Sequence, residues 1–358
     1  MKVMIAAGGT GGHIYPGIAV ANEVLRRDET SEVLFVGTAR GLETKIVPDN
    51  GFQLSLIDSA GLKNVGLVAK MKGLSVLPKS FLEARQIIRQ FRPHVVVGAG
   101  GYVSGPVLLM AAIMGVPTLV MDSNALPGFT NRQLARFVDR AALTFEESLK
   151  FFGKKGVVTG NPVRREFFEV PSKVRSDLFH VLIFGGSQGA RAINHAIADA
   201  LSHLGEFEGK LTITHQTGEA DLDSIKAAYG DSKFATAEVR PFISDMFTEF
   251  GKADLVICRA GATTCAELSA SGKASIMVPL PTAADDHQRK NAEALERSGA
   301  AKMILQSDLN GETLAAEISN LIATPDLITA METAARGMGR EDAVEKTVDI
   351  IEELKASV

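Results

Sequence analysis

The sequence predicts an α/β protein of two halves, each built on a parallel sheet with helices on both faces. Apolar strand-like runs alternate with helical patterns along the 358 residues, a length that suggests about two domains. A glycine-rich turn follows the first apolar run of each half, at Gly8-Gly-Thr-Gly-Gly-His13 and Gly185-Gly-Ser-Gln-Gly-Ala-Arg191. Glycines let backbone N–H groups approach an anion at the positive end of a helix. Two such turns indicate two nucleotide-binding-type halves with a cleft between them.

The first half shows five strand patterns and two clear amphipathic helices. The strands are predicted at residues 3–7, 33–37, 95–98, 118–121 and 143–145, and the helices at 16–27 and 82–91. Residues 93–121 carry no Asp, Glu, Lys or Arg and are long enough to cross a bilayer. Because glycines and prolines interrupt this stretch, we interpret it as a strand, a glycine loop, a buried helix and a strand.

The second half repeats the alternation. Strands are predicted at 181–184, 211–214, 255–258 and 275–278, and helices at 190–204, 221–229, 264–271 and 288–298. Gly and Pro in Gly160-Asn-Pro-Val-Arg164 place the domain junction between 161 and 162. A last helix carries one apolar stripe, formed by Val344, Val348, Ile351 and Leu354. The pattern alone does not say which domain covers that stripe.

Composition limits the class of protein. Cys258 and Cys265 are too few for a disulfide framework or a zinc site, and the N-terminus runs straight into a strand without a signal peptide, as expected of a cytosolic protein. Lys and Arg exceed Asp and Glu by six in residues 1–161 but fall short by ten in 162–358. The basic first half suggests contact with an anionic surface.

A dinucleotide-binding enzyme is one alternative for the glycine turns. Such a site needs an acidic residue after the second strand to bind a ribose hydroxyl, but Thr38-Ala-Arg40 follows here. Arg40 would suit a 2′-phosphate, so an NADP-dependent oxidoreductase stays open, although neither turn has the usual three-glycine spacing.

Three polar residues of the first half are candidates for catalysis because each follows a predicted strand. His13 ends the first glycine turn, and histidine suits a general base because its pKa lies near working pH. Tyr102 lies in Gly98-Ala-Gly-Gly-Tyr-Val-Ser-Gly105, and Asp122 follows the next strand. Ligands sit at the carboxyl ends of strands in open α/β sheets. Asp122 is the second candidate base.

The second half offers a candidate diphosphate site. Arg259-Ala-Gly-Ala-Thr-Thr-Cys-Ala-Glu267 follows a strand and opens a helix, where hydroxyls and free N–H groups suit phosphate. Glu267 lies one turn further on, within reach of ribose. Ser187 and Arg164 are further phosphate ligands, and Gln288 a sugar ligand. Asp221-Leu-Asp223 has the spacing of a metal-binding pair but opens a surface helix, so we expect no metal or cofactor. Without a metal, helix dipoles and Arg would stabilise the leaving diphosphate.

Five motifs together resemble the MurG family of bacterial murein-pathway glycosyltransferases along nearly the whole chain. They are Gly8-Gly-Thr-Gly-Gly-His13, Gly100-Gly-Tyr-Val-Ser-Gly-Pro106, Gly160-Asn-Pro-Val-Arg164, Gly185-Gly-Ser-Gln-Gly-Ala-Arg191 and Arg259-Ala-Gly-Ala-Thr264. The resemblance implies a GT-B fold of two Rossmann-like domains with parallel sheets facing a cleft. It also implies that residues 340–358 return to the N-terminal acceptor domain, leaving 162–339 as the donor domain.

The resemblance further implies an enzyme that moves N-acetylglucosamine, with inversion, from UDP-GlcNAc to the C4 hydroxyl of the muramoyl sugar of lipid I. Lipid I is undecaprenyl-diphospho-muramoyl-pentapeptide, and the product is lipid II. Donor-binding positions carried over from the family are Thr10, Gly11, Gly12, Asn124, Arg164, Ser187, Ile243, Ala262, Thr263, Thr264, Cys265, Ala266, Glu267 and Gln288. Backbone groups at Ile243 would recognise uracil.

One segment departs from the family pattern. Relatives often have His-Glu-Gln-Asn where this chain has Met121-Asp-Ser-Asn124, which leaves His13 as the better base candidate. Other GT-B enzymes, such as a UDP-GlcNAc 2-epimerase, and a non-catalytic membrane-docking protein are the alternatives.

A lipid diphosphate acceptor gives the basic first half a purpose. Two apolar–basic segments are candidates for peripheral binding to the cytoplasmic face of an anionic membrane: Lys150-Phe-Phe-Gly-Lys-Lys155, and the stretch 62–81 with Lys63, Lys70, Lys72 and Lys79. The alternative is a core-facing helix with solvated lysines. We expect no nucleic-acid partner, and expect other cell-wall synthesis proteins among the partners.

Overall fold

The computed structural model describes residues 1–59, 67–124, 126–173, 178–186, 188–283 and 286–357, without the side chains of 67–76. The chain divides into two compact units, Met1–Arg164 with Arg340–Val358, and Arg165–Gly339. The boundary between the two units falls after Arg164, at the end of the predicted junction motif. Arg164 therefore belongs to the first unit and not to the second.

A seven-stranded parallel sheet forms the centre of the first unit, in the order β3-β2-β1-β4-β5-β6-β7. Its strands are β1 (Lys2–Ala7), β2 (Glu32–Gly37), β3 (Gln53–Leu56), β4 (Val95–Gly100), β5 (Thr118–Asp122), β6 (Arg140–Leu143) and β7 (Gly156–Val158). Its helices are α1 (Gly11–Arg27), α2 (Glu43–Asp49), α3 (Leu67–Phe91), α4 (Ser104–Ile113), α5 (Phe129–Leu134) and α6 (Leu149–Phe152). Separate apolar clusters pack on the two faces of this sheet.

The second unit repeats the architecture with a six-stranded parallel sheet in the order β10-β9-β8-β11-β12-β13. Its strands are β8 (Phe179–Phe184), β9 (Leu211–Gln216), β10 (Glu238–Arg240), β11 (Leu255–Cys258), β12 (Ser275–Met277) and β13 (Ala301–Met303). Its helices are α7 (Arg191–Ala200), α8 (Leu222–Gly230), α9 (Met246–Lys252), α10 (Ala262–Ser271), α11 (His287–Arg297), α12 (Gly311–Ala323) and α13 (Pro325–Met338).

The final helix, α14 (Ala343–Ala356), completes the first unit. Val348, Ile351 and Leu354 of the predicted stripe are buried in the cluster that also holds residues of α1 and β4. Arg27 at the end of α1 pairs with Asp349 at 2.7 Å and with Glu352 at 2.9 Å. The apolar stripe therefore has its surface, and ion pairs at the rim set the helix's position along it.

Each sheet has one point where the strand order reverses, between β1 and β4 in the first unit and between β8 and β11 in the second. The crossover connections leave on opposite faces of the sheet at these points, and open α/β sheets bind their ligands at the carboxyl edge of such a switch point. Both predicted glycine turns lie at these switch points. Both glycine turns are therefore candidate ligand sites.

Four predicted elements were wrong by three or more residues at one end, among them α7, which ends at Ala200 and not at 204. Helix α1 begins at Gly11 and not at Pro16, because the glycine turn itself forms its first turn: His13 and Ile14 both donate to the carbonyl of Thr10. Helix α3 starts at Leu67 and contains Pro78, which was expected to lie before the helix. Strand β6 ends at Leu143, because Phe145 leads directly into the 3₁₀ turn Glu146–Ser148.

The uncharged stretch 93–121 forms β4, α4 and most of β5, as predicted. Across the portion of the chain that the structure describes, none of the helices combines the length and the apolarity needed to cross a bilayer.

Gly160 is a test of how closely the residues that lead into α14 approach the segment after β7. Its φ is +89°, and a Cβ there would lie 2.7 Å from the Cβ of Arg340. We expect Gly160→Ala to lower the free energy of unfolding through left-handed strain, at about 1–2 kcal/mol, and through overlap, at about 1 kcal/mol more. The measurement is urea unfolding of the full chain.

Gly51→Ala is the matched control, because Gly51 has φ +80° but no atom within 4 Å of its Cβ position. It should show the strain without the overlap. Equal destabilisation by the two variants would contradict the close approach at Gly160.

Candidate active site

The turn after β1 packs directly against the turn after β4. A Cβ on Gly101 would lie 2.2 Å from the carbonyl oxygen of Gly8, and both Gly100 and Gly101 have positive φ. These glycines are required because no side chain fits between the two turns. The contact leaves Thr10, Gly11 and Gly12 at the N-terminal end of α1, where backbone N–H groups and the helix dipole favour an anion.

His13 lies in the first turn of α1 with its ring on Gly100, where a Cβ would approach the ring Cδ2 to 2.4 Å. Its Nδ1 lies 3.2 Å from the carbonyl oxygen of Gly8. A carbonyl only accepts hydrogen bonds, so Nδ1 carries the proton in neutral His13 and Nε2 carries the lone pair. This tautomer is the one that a general base acting through Nε2 requires.

Glu43 is a buried carboxylate behind the same turn, and motif reasoning missed it. It accepts hydrogen bonds from the N–H of Gly9 at 2.9 Å, from the N–H of Thr38 at 2.8 Å and from the Thr38 hydroxyl at 2.8 Å. Its side chain is fully buried. The sequence signal that could have found it is the pair of glycines just before it, Gly37 and Gly41. Both make room for Glu43, because a Cβ on either would meet its side chain within 2.5 Å.

Asp122, the second candidate base, lies at the end of β5 and is buried. Its carboxylate accepts from the N–H of Asn124 at 3.0 Å, the N–H of Gly128 at 3.1 Å and the side-chain amide of Asn131 at 2.8 Å. These donors hold the loop after β5 in place. Asn124 is positioned by this loop, and its carbonyl accepts from the Ser148 hydroxyl at 3.0 Å.

The other candidates of the first unit differ in their surroundings. The Tyr102 side chain is 58% exposed, and its carbonyl accepts from the Ser59 hydroxyl. The Arg164 guanidinium lies 5.0 Å from the ring centre of Tyr15, whose ring in turn contacts Gly11. Arg164 therefore adds positive charge close to the first turn of α1, within the first unit.

In the second unit, a buried glutamine connects the glycine turn to the Ile243 segment. The Gln216 amide donates to the carbonyl of Gly186 at 2.8 Å, and its oxygen accepts from the N–H of Ile243 at 2.7 Å. The family resemblance assigned uracil recognition to backbone groups at Ile243, and one of these, the N–H, is thus already paired. Sequence reasoning missed Gln216. Ser187 lies outside the described residues.

Helix α10 begins at the switch point of the second unit, with Gly261 as its N-cap. Its first turns hold Ala262, Thr263, Thr264, Cys265, Ala266 and Glu267, the predicted phosphate and ribose ligands. Arg259, just before the helix, has a structural role, because its guanidinium donates to the carbonyls of Val278 and Pro279 and to the Gln306 side chain. Gln288 accepts from the N–H of Leu280 at 3.0 Å.

Burial keeps both cysteines unreactive as nucleophiles. It raises the pKa of the Cys265 thiol to about 12, and it raises the pKa of Cys258 as well. Cys265 therefore contributes backbone and packing to the start of α10.

Asp221 belongs to a buried hydrogen-bonded network and not to a metal pair. Its carboxylate accepts from the Asn194 amide at 2.8 Å, and the Asn194 oxygen lies 3.1 Å from Nε2 of His215. Nδ1 of His215 lies 3.2 Å from the Tyr229 hydroxyl. In the described parts of the chain, no group of three or more His, Cys, Asp or Glu side chains is placed to hold a metal ion.

Two Rossmann-like units with glycine turns at their switch points are the arrangement of the GT-B glycosyltransferases. The glycosyltransferase family 28 N-terminal domain matches residues 3–143, and the family 28 C-terminal domain matches residues 180–352. The chain belongs to glycosyltransferase family 28. The predicted α/β class and the hexosyltransferase activity are confirmed.

Individual relatives agree with this family. A UDP-N-acetylglucosamine–N-acetylmuramyl-(pentapeptide) pyrophosphoryl-undecaprenol N-acetylglucosamine transferase of Syntrophus aciditrophicus is 49% identical over 98% of this chain and 97% of its own length. The crystal structure of Acinetobacter baumannii MurG is 34% identical, with a TM-score of 0.77 over 98% of this chain and 99% of its own.

The epimerase alternative has weaker support. The UDP-GlcNAc 2-epimerase of Neisseria meningitidis, solved with UDP-GlcNAc, shares 13% identity with a TM-score of 0.72 over 99% of this chain and all of its own. At that identity the likeness concerns the fold alone.

The buried network around His215 predicts a pH dependence of stability. Burial lowers the pKa of His215 from 6.5 to about 3. Below pH 6.5 the unfolded chain therefore binds a proton that the folded state excludes. Stability is fully present above pH 6.5 and falls as the pH drops toward 3, by up to about 1.4 kcal/mol per pH unit. Urea unfolding across this range measures the slope.

His215→Gln should flatten this slope, because the variant has no imidazole to protonate on unfolding. His195→Gln, on the exposed face of α7, should leave the slope unchanged. If the slope of His215→Gln equals that of the wild type, the excluded proton belongs to another group.

Proposed function

We propose that this chain transfers N-acetylglucosamine from UDP-GlcNAc to the C4 hydroxyl of the muramoyl sugar of lipid I, giving lipid II for peptidoglycan synthesis. The curated relatives named for this donor and acceptor support the proposal over nearly the full chain. The observation that carries it is the pair of switch-point turns: one presents His13, and the other opens α10 with two threonines.

The second unit is the proposed donor site. The N-terminus of α10, with the N–H groups and hydroxyls of Thr263 and Thr264, suits the diphosphate of UDP. Glu267, one turn further along, suits the ribose hydroxyls. Gln216 holds the Ile243 segment against the glycine turn, so the uracil would meet a loop that is already fixed. Since Gln216 occupies the Ile243 N–H, the carbonyl of Ile243 is the more direct partner for a uracil N–H.

The first unit is the proposed acceptor site, and His13 is the proposed base. Nε2 of His13 takes the proton from the acceptor hydroxyl as its oxygen attacks the anomeric carbon. The bond from that carbon to the diphosphate oxygen breaks in the same step, so the configuration inverts and UDP leaves. The dipole of α10 opposes the negative charge that develops on the leaving group. Arg164, in the first unit, keeps the proposed role of a phosphate ligand. Tyr102 and Asp122 are proposed to line the acceptor side.

A surface of the first unit supports peripheral binding to an anionic membrane. We call it the aromatic–basic surface; it comprises Phe129, Arg132, Arg136, Phe137, Lys150 and Phe151. Phe129 is 52% exposed and Phe137 is 47% exposed. The charged groups of Lys150 and Arg132 lie 5.3 and 6.0 Å from the Phe151 ring centre. Exposed rings beside cations are the composition that anionic interfaces bind.

Six of the seven lysines of the two predicted membrane segments divide into three groups, and the seventh, Lys154, is exposed. Lys79 pairs with Asp58 and Glu83, and Lys155 donates to the carbonyls of Ala135 and Arg136 at 3.1 Å. The charge of Lys79 is thus paired with carboxylates, whereas the ammonium of Lys155 keeps its charge but is held against the backbone. Lys63 and the side chains of Lys70 and Lys72 lie outside the described residues. Lys150 lies over the ring of Phe151, which is itself half-buried against the core.

The first test is transfer of labelled GlcNAc from UDP-GlcNAc to a lipid I analogue in EDTA. We expect wild-type transfer to persist in EDTA, and His13→Ala to reduce kcat by about 10²-fold or more through loss of the base. His94→Ala is the matched control, because His94 lies at the opposite, amino end of β4, where it accepts from the N–H of Lys2.

Each other outcome has a definite meaning. Undiminished transfer by His13→Ala would move the base role to Asp122. Consumption of UDP-GlcNAc without any acceptor, and no transfer with it, would favour the epimerase alternative.

The second test is cosedimentation with vesicles of phosphatidylcholine with or without phosphatidylglycerol. We expect binding to rise with the anionic fraction and to fall by about 30-fold or more in Arg132→Glu/Arg136→Glu, because each cation lost near the surface costs about 1 kcal/mol and the two new carboxylates are repelled. Phe129→Ser/Phe137→Ser should weaken binding to both vesicle types. Leu178→Ser, an exposed apolar side chain of the second unit, is the control. Binding indifferent to lipid charge and to these substitutions would refute the surface.

A further inference from the structure

One peptide group lies between His13 and Glu43. Its carbonyl oxygen, of Gly8, is 3.2 Å from Nδ1 of His13. Its N–H, of Gly9, donates to Oε2 of Glu43 at 2.9 Å. The two bonds leave the same planar, resonance-stabilised amide on opposite sides. A negative charge on the N–H side increases the negative charge on the carbonyl oxygen, because consecutive hydrogen bonds polarise one another.

We propose that Glu43 is a positioning residue that acts on His13 through the Gly8–Gly9 peptide. We call this arrangement of carboxylate, peptide and imidazole the relay. It holds the imidazole in the Nδ1–H tautomer, and it stabilises the imidazolium that forms when Nε2 takes a proton. This inference rests on the proposed role of His13 as the base. The proton stays on the imidazole during the transfer, since the peptide between the two side chains carries polarisation and not a proton.

The surroundings of Glu43 require a carboxylate. Three donors converge on its two oxygens, and the side chain is fully buried. A neutral amide in its place would turn an NH₂ group toward an N–H donor on one side or the other. Burying a carboxylate is costly unless donors surround it. The fold meets this cost with donors on both sides of the carboxylate.

Three glycines make room for this carboxylate. A Cβ would come within 2.9 Å of Glu43 at Gly8, within 2.5 Å at Gly37 and within 1.9 Å at Gly41. They belong to the turn after β1 and to the connection from β2 to α2. The close fit fixes the carboxylate relative to the Gly8–Gly9 peptide. Arg164, on the ring of Tyr15, is a further charged side chain near the first turn of α1.

The experiment compares Glu43→Gln with Thr38→Val in the full chain. Thr38→Val removes one hydrogen bond to the carboxylate but leaves its charge and its bond to Gly9, so it perturbs the same cluster without breaking the relay. Thermal unfolding and UDP binding establish that both variants are folded. The readouts are kcat and KM for transfer, the pH profile of kcat, and the ¹⁵N spectrum of the imidazoles, with His13 assigned from the His13→Ala spectrum.

We expect Glu43→Gln to lower kcat by about tenfold or more with KM for UDP-GlcNAc changed by less than about twofold, since the loss concerns the proton transfer alone. The acid limb of the kcat profile should move to lower pH by about half a unit, the size expected for loss of one charge several ångströms away. The His13 spectrum should change from Nδ1–H toward a mixture of tautomers. Thr38→Val should keep kcat within about twofold, with the wild-type spectrum.

Several results would overturn the relay. One is equal loss of kcat in Glu43→Gln and Thr38→Val, which would mean that Glu43 only supports the turn. Another is an Nε2–H tautomer of His13 in the wild-type enzyme, a result that needs no variant to fold. Failure of the proposed base is distinguishable: full activity of His13→Ala would remove the catalytic role, while the tautomer of His13 and its response to Glu43→Gln would still decide the relay.

Discussion

Close backbone contact between neighbouring turns is the constraint on which both halves of the molecule depend. At each switch point the turn after one central strand lies against a neighbouring turn at a distance that excludes any Cβ. Gly101 meets the Gly8 carbonyl in the first unit, and Gly189 meets the Thr217 carbonyl in the second, where a Cβ would lie 1.8 Å away. Positive φ at both glycines makes this approach possible. Without it, the helix starts and His13 would not be held at the carboxyl edges of the sheets.

Glycine turns are flexible by themselves, and each one here is held by a buried polar side chain from a different part of the chain. Glu43 serves this purpose in the first unit and Gln216 in the second. Both side chains bond to backbone groups on two segments at once, which converts local freedom into a defined geometry. The two units thus hold their glycine turns with different groups. In the first unit the group is the charged carboxylate of Glu43, beside the proposed base, and in the second it is the neutral amide of Gln216, beside the proposed nucleobase loop.

Sequence reasoning found the parts of this design that are local. The strands of the sheet centres, the glycine turns and the α14 stripe follow from periodicity and from glycine placement, and β11 matches its predicted bounds. Edge strands such as β7 and β10 were missed because three residues carry too little pattern. Glu43 and Gln216 were missed for another reason: the partners that connect them to the glycine turns, Gly9 and Gly186, lie 34 and 30 residues away. The same holds for the His215 network, whose polar side chains resemble ordinary surface residues until the fold buries them.

The return of α14 to the first unit has a consequence for synthesis on the ribosome. The second unit, Arg165–Gly339, is one continuous segment and can acquire all of its contacts as soon as that segment has emerged. Translation of the first unit begins earlier, yet this unit lacks α14 until the segment that follows the second unit has emerged. Until then the faces of α1 and β4 that receive Val348 and Ile351 remain uncovered. The two units are therefore completed in the reverse of the order in which their translation begins. Until α14 packs on it, the uncovered apolar surface of α1 and β4 needs protection from aggregation.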